Sequence, residues 1–166
     1  MNWKYDATAY NPNANRGGYQ PIPEGNYRCR ISDAVETVTK KAPARPMIVL
    51  DLVINGYANN KPLKDYIVLD PADPARTNQR IGELYDCFGL PDTTSLRDIR
   101  AAFCNQVGGV HVKHVTYTGT DGKDHTGAKV GWLIPRAEQA DLPAWVDVET
   151  CAGLTVVEDD ADDLPF

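Results

Sequence analysis

"DPARTNQRIGELYDCFGLP", residues 73–91, decides the fold, because it interrupts a succession of strands with a helical period. Asp73 is placed to cap, Pro74 falls at the first helical position where its missing N–H costs nothing, and Gly89 with Pro91 closes the helix. Ile81, Leu84, Tyr85 and Phe88 recur at spacings of three and four, which gives one apolar stripe to lay on a core. A second, shorter helix is predicted from Ser95, with Asp98 three residues on as a variant of the capping box.

On either side of this helical pair the period is two. In "NYRCRIS", residues 26–32, Tyr27, Cys29 and Ile31 alternate with Arg28, Arg30 and Ser32, and the strand runs on through Val35 and Val38 after a bulge near Asp33. Arg28 and Arg30 therefore share the face turned away from the core. "MIVLDLVIN" (47–55) puts Ile48, Leu50, Leu52 and Ile54 on one side, and "PLKDYIVLD" (62–70) is a third strand. After "QVGG", whose adjacent glycines admit a close backbone approach or a bend, strands return in "VHVKHVTYT" (110–118) and "AKVGWLIP" (128–135). "GTDGKDHTG" (119–127) is read as the long hairpin loop between them.

The order is strand, strand, strand, helix, strand, strand. That is the connectivity of the OB-fold, a mainly β, five-stranded barrel with its helical insert between strands 3 and 4, which binds oligonucleotides or oligosaccharides on its strand 2 to 3 face and between two loops. The expected organisation is an N-terminal arm over 1–20, rich in Asn, Gly, Pro and Tyr, then the OB domain over 21–135. A linker or docking segment over 136–157 and an acidic tip over 158–166 follow. Within 136–157, Leu142, Trp145 and Val146 could dock on the barrel, mediate self-association or belong to a linker.

Of 23 acidic residues, Glu158, Asp159, Asp160, Asp162 and Asp163 fall in "EDDADDLPF" (158–166), leaving 17 basic residues against 18 acidic ones in the body. The net charge of −6 thus belongs to a tag, and a near-neutral body does not exclude a polyanionic partner. Four scattered cysteines, with no Cys-x-x-Cys pair, give neither a zinc ribbon nor a redox motif, and suggest a reducing, cytoplasmic setting. No apolar run reaches membrane-spanning length.

Single strands need cations for phosphates and aromatic faces for bases. Lys40, Lys41 and Arg45 fall in the first loop and Lys123 and His125 in the second, with Tyr117 and Trp132 near its roots. Arg28, Arg30, Lys64, Tyr66 and Lys113 complete the candidate DNA-binding set. Against this stands the plain reading that loop lysines are solvated and that Tyr66 and Trp132 pack the core, since neither strand declares its buried face. Enzyme chemistry has no constellation to rest on. His111 and His114 are three apart on a strand and point to opposite faces, and Asp121, Asp124 and His125 sit in a glycine-bearing turn explained by backbone geometry. Neither a phosphate loop nor a nucleophile elbow is present. No cofactor or metal is expected.

"PIPEGNYRCRISDAVET" (21–37), the second strand and "LYDCFGLP" (84–91) resemble phage-encoded single-stranded DNA-binding proteins over about residues 20 to 134. "DDADDLPF" (159–166) resembles the tip of bacterial single-stranded DNA-binding proteins, and phage relatives also end acidic and aromatic. The resemblance implies a protein of the infected bacterial cytoplasm that coats single-stranded DNA without sequence preference, with self-association into a homo-oligomer left open. It also implies that a disordered tip recruits replication or recombination proteins, such as a recombinase or an annealing protein. In that family the terminal Phe enters an apolar pocket of the partner. Carried over, Phe166 is the anchor with Leu164 beside it, Pro165 stiffens the chain, and Asp159, Asp160, Asp162 and Asp163 steer. The alternative is an OB-fold protein-interaction adaptor that binds no nucleic acid.

Overall fold

The computed structural model describes residues 3–10, 12 and 21–146. Its elements are β1 (Gly25–Val38), β2 (Pro46–Ile54), β3 (Leu63–Val68), α1 (Pro74–Phe88), α2 (Ile99–Phe103), β4 (Val107–Thr118) and β5 (Asp124–Leu133), flanked by short 3-10 turns at Ala7–Ala9 and Arg136–Glu138. The strands form one antiparallel sheet in the order β3-β2-β1-β4-β5. Its outermost strands, β3 and β5, approach within 8 Å between Cα atoms, so the sheet curls around its core.

The curl begins in β1. Its first half, Gly25–Arg30, pairs with β4 and its second, Cys29–Val38, with β2; the register slips between Ile31 and Asp33. A strand that serves two partners in succession has to bend, and a bulge supplies the bend by raising the local twist. The alternation then sorts the side chains. Cys29 and Ile31, the four apolar residues Ile48, Leu50, Leu52 and Ile54, Ile67 on β3, and Val110 and Val112 on β4 are all buried. Each such aliphatic side chain contributes about 1.5–3 kcal/mol of transfer free energy.

The 73–91 stretch folds as its composition dictates. The Asp73 carboxylate accepts the Arg76 N–H, Pro74 opens the helix, and Gly89 takes the left-handed conformation (φ 63°) that a side chain would resist. α1 lays Leu84, Cys87 and Phe88 on the core. Cys87 lies outside the predicted stripe of Ile81, Leu84, Tyr85 and Phe88, yet a thiol packs as a small hydrophobe. Arg80, from the same helix, reaches the buried Asp65 of β3 at 3.2 Å. Burial pushes the Asp65 carboxyl up from its ordinary range despite that partner.

Two expectations are corrected. The second helix starts at Ile99, capped by Asp98 accepting the Ala101 N–H, while the Ser95 hydroxyl accepts only the Arg97 N–H just ahead of it. The Asp98 carboxylate wins because it stands directly before the apolar Ile99 and Phe103 that the helix buries. The 119–127 stretch is no long loop either. The ladder of β4 and β5 continues to Thr118 and Asp124, and only Gly119–Lys123 turn, so His125 belongs to a strand opposite Tyr117. Polar residues conceal that part of the hairpin because little of it touches the core.

The adjacent glycines serve two close approaches. A Cβ on Gly108 would stand 2.8 Å from the Phe88 ring and 2.9 Å from the Cys87 sulfur; one on Gly109 would stand 2.8 Å from Leu142. One glycine admits α1 to the inner face, and the next admits residues 139–146 to the outer face.

Candidate nucleic-acid interface

Residues 139–146 lie as a strap over the outer face of β1. Arg28 holds the strap through its guanidinium: Nε donates to the Pro143 carbonyl (3.1 Å), Nη1 to Gln139 Oε1 (3.0 Å), and Nη2 to the carbonyls of Gln139 (3.1 Å) and Leu142 (3.2 Å). Asn55 donates to the Ala144 carbonyl and accepts the Val146 N–H. Trp145 lies against Arg30, whose guanidinium carbon is 5.5 Å from the ring centroid, and Arg30 Nη1 donates to Asn105 Oδ1 at 2.8 Å. Both arginines do face away from the core, as the alternation required. Both are engaged in holding this segment, and the described part of 136–157 docks on the outer face of the sheet.

The outer face of the β4–β5 ribbon is arranged otherwise. Trp132 stands opposite His111, their rings stacked at 3.8 Å and 8°. Next along the face is the cross-strand pair Lys113 and Lys129, then Val115 opposite Gly127, then Tyr117 stacked on His125 at 5.6 Å and 29°. The Asn26 side chain fixes the His111 ring through Nδ1 at 2.7 Å, and Asp121 lies 3.0 Å from His125 Nε2. Gly127 leaves room for the Tyr117 ring, since a Cβ there would come within 3.3 Å of it. From position 111 to 117 the face runs about 20 Å at 3.4 Å per residue. His111 and Lys129 were not in the candidate set, and His125 was read as a loop residue. The register, which the sequence does not state, is what pairs them with Trp132, Lys113 and Tyr117.

Tyr66 and Lys64 project from β3 on the sheet's outer surface. Lys64 Nζ meets Asp51 at 2.7 Å across the strand pair, and that hydrogen bond raises the ammonium pKa. Tyr66 lies opposite Val49, which itself faces Val35, so an apolar row crosses three strands beside the phenol. Tyr66, Tyr117 and Trp132 are each 54% exposed, which answers the reading of Tyr66 and Trp132 as core. Lys40 and Lys41 are exposed in the β1–β2 loop, whose ends are tied by Thr39 and Arg45 donating backbone N–H groups to each other's oxygens. Arg45 pairs with Asp70 at 3.1 Å, and Lys123 is exposed at the hairpin tip.

The free face of Trp132 opens on a different environment. With Leu133, Pro135 and Glu138 it lines a cleft of about 700 Å³ whose far wall is α1, with Asn78, Gln79, Glu83 and Asp86. Glu83 is paired to Arg80; among the described residues Asp86 and Glu138 have no cationic partner within 4.0 Å. The candidate set thus divides among a β4–β5 face, a β3 and first-loop face, and two arginines under the strap. The partner-binding residues Asp159, Asp160, Asp162, Asp163, Leu164, Pro165 and Phe166 lie outside the described residues. His111 and His114 take separate partners, His114 Nε2 lying 2.7 Å from the Ile22 carbonyl. No protein-family model matches the chain, and no curated protein matches it.

Proposed function

We propose that this chain is a phage-type single-stranded DNA-binding protein: an OB barrel that coats single strands without sequence preference and recruits replication or recombination proteins through its acidic tip. The strand order, the helices between β3 and β4 and the approach of β3 to β5 support the barrel. One observation carries the binding reading: the β4–β5 face presents ring, cation, ring in sequence, from Trp132 on His111, through Lys113 beside Lys129, to Tyr117 on His125. Rings held from behind offer bases a flat surface already ordered, and ammonium groups between them meet the phosphates that join those bases. Lys40, Lys41, Arg45, Lys64 and Tyr66 extend the interface. Arg28 and Arg30 support it indirectly, by holding the strap.

The acidic cleft beside Trp132 favours the second reading, an adaptor that binds a basic protein segment, since Asp86 and Glu138 repel a phosphate backbone there. A titration of oligo-dT by tryptophan quenching and anisotropy, with parent, Tyr117→Leu and Trp132→Leu, separates the two. The DNA reading expects salt-weakened binding by the parent and a loss of about 1–3 kcal/mol for each variant at unchanged melting temperature. No binding by the parent at low salt overturns it in favour of the adaptor.

A further inference from the structure

Between β3 and the first two turns of α1 runs a groove of about 300 Å³. Tyr66 and Val68 form its strand side, Arg76, Thr77 and Arg80 its helix side, and Arg45 with Asp70 its head. The carboxylates nearby are each engaged. Asp70 accepts from Arg45 at 3.1 Å and from the Ala72 N–H at 2.9 Å, and Asp65 lies buried behind Arg80, which also holds Glu83 at 2.9 Å. Two guanidiniums are thereby fixed in orientation, and Arg45 spends a single Nη1 contact on its partner, out of the five N–H donors an arginine carries. Arg76 is exposed on the first turn of α1 and, among the described residues, has no acidic partner within 4.0 Å. The Thr77 hydroxyl bonds to the Asp70 backbone in both senses (2.9 and 3.2 Å), which pins the β3–α1 junction and so the spacing of the two walls.

An exposed phenol facing an unmatched guanidinium across a gap at the small end of ligand-site volumes fits a planar ring joined to an anion. We infer that this groove holds one nucleotide unit, its base on Tyr66 and its phosphate between Arg76 and Arg45, so that a bound strand leaves the sheet and runs onto α1. This rests on the single-strand reading above and adds a helix to its surface. The phosphate is either an internal diester of the strand or the monoester at a 5′ end; the chemistry that Arg76 recognises is common to both, and the charge of the monoester is the larger.

The test uses the full-length chain and 3′-labelled oligo-dT with either a 5′-hydroxyl or a 5′-phosphate, read by anisotropy at several salt concentrations. Arg76→Ala, at an exposed helical position, should keep the parental melting temperature, weaken binding about tenfold, the loss of one charge-assisted hydrogen bond, and make the salt slope shallower by about 0.7. Tyr66→Leu should weaken binding at least fivefold without that change of slope. Equal losses on both oligonucleotides assign the groove to an internal diester, and a loss confined to the 5′-phosphorylated one assigns it to the strand end. If the parent binds and both variants match it in affinity and slope on both oligonucleotides, the groove is no part of the path. A parent that binds neither oligonucleotide overturns the single-strand reading itself, and this inference with it.

Discussion

Arg28 on β1 and Lys113 on β4 sit on neighbouring strands of one sheet, and the same alternation turns both outward, yet they meet different fates. Arg28 stands opposite Gly109, which leaves a gap in the outer surface, and the strap fills it with Leu142 and Gln139 while four acceptors take the guanidinium. Lys113 stands opposite Lys129 on a face that the described part of the strap leaves open. Period two tells which way a side chain points. Whether anything lies on top is decided by the residue across the ladder and by chain far away in sequence.

The widest way to break this comparison is Arg28→Met, which keeps an apolar stem and removes every donor. Hydrogen bonds to a charged group contribute about 1.5–3 kcal/mol each, but those to one guanidinium overlap, so the expected loss is about 2–4 kcal/mol of unfolding free energy in urea. Amides of residues 139–146 should exchange faster in the same variant. Stability and exchange equal to the parent would mean that Arg28 does not hold the strap.

A smaller effect follows beneath the strap. Gln139 Nε2 donates to the Cys87 carbonyl at 2.9 Å, and the Cys87 thiol donates to the Gly109 carbonyl at 3.1 Å. Burial pushes this thiol from 9.0 up to about 11, and Cys29 moves the same way. Between those two values the folded chain keeps a proton that the unfolded chain has released. The stabilisation from Cys87 is therefore whole below pH 9, falls as the pH rises at about 1.4 kcal/mol per pH unit, and is gone above 11. Cys87→Ala should remove one such increment from the slope of stability against pH. In native protein at pH 8 a thiol reagent should label Cys104 and spare Cys29 and Cys87, and Arg28→Met should open Cys87 to it. Labelling of Cys87 in the parent as fast as Cys104 would contradict the burial.

Much of the sheet was legible because its strands are half buried: Ile48, Leu50, Leu52 and Ile54 write their period without interruption, and Asp73, Pro74 and Gly89 mark both ends of α1 chemically. The start of β5 was not legible, since Asp124 to Gly127 have little core contact and hence no apolar period. Of the site, the residue types could be read but not their grouping. Lys113, Tyr117 and Trp132 were identified singly, and only the register reveals Lys129, His125 and His111 across from them. Arg76 and Arg80 read as the polar side of a helix, because nothing local says that β3 brings Tyr66 to face them.

The finest distinction between the two faces is in salt dependence rather than stability. Lys113→Ala with Lys129→Ala removes two charges from an outer surface where neither lysine has an ion-pair partner among the described residues, so unfolding free energy should stay within about 0.5 kcal/mol of the parent. If each lysine neutralises one phosphate of a bound strand, the slope of log affinity against log salt should become shallower by about 1.4 for the pair. Arg28→Met should do the reverse, lowering stability and leaving the slope alone, because its charge is spent on carbonyls of its own chain. Anisotropy titrations of both variants against oligo-dT at four salt concentrations measure the two slopes side by side. An Arg28→Met slope as shallow as that of the lysine pair would show that the strap lifts to let a strand reach β1, and the contrast between a clasped face and an open one would fail.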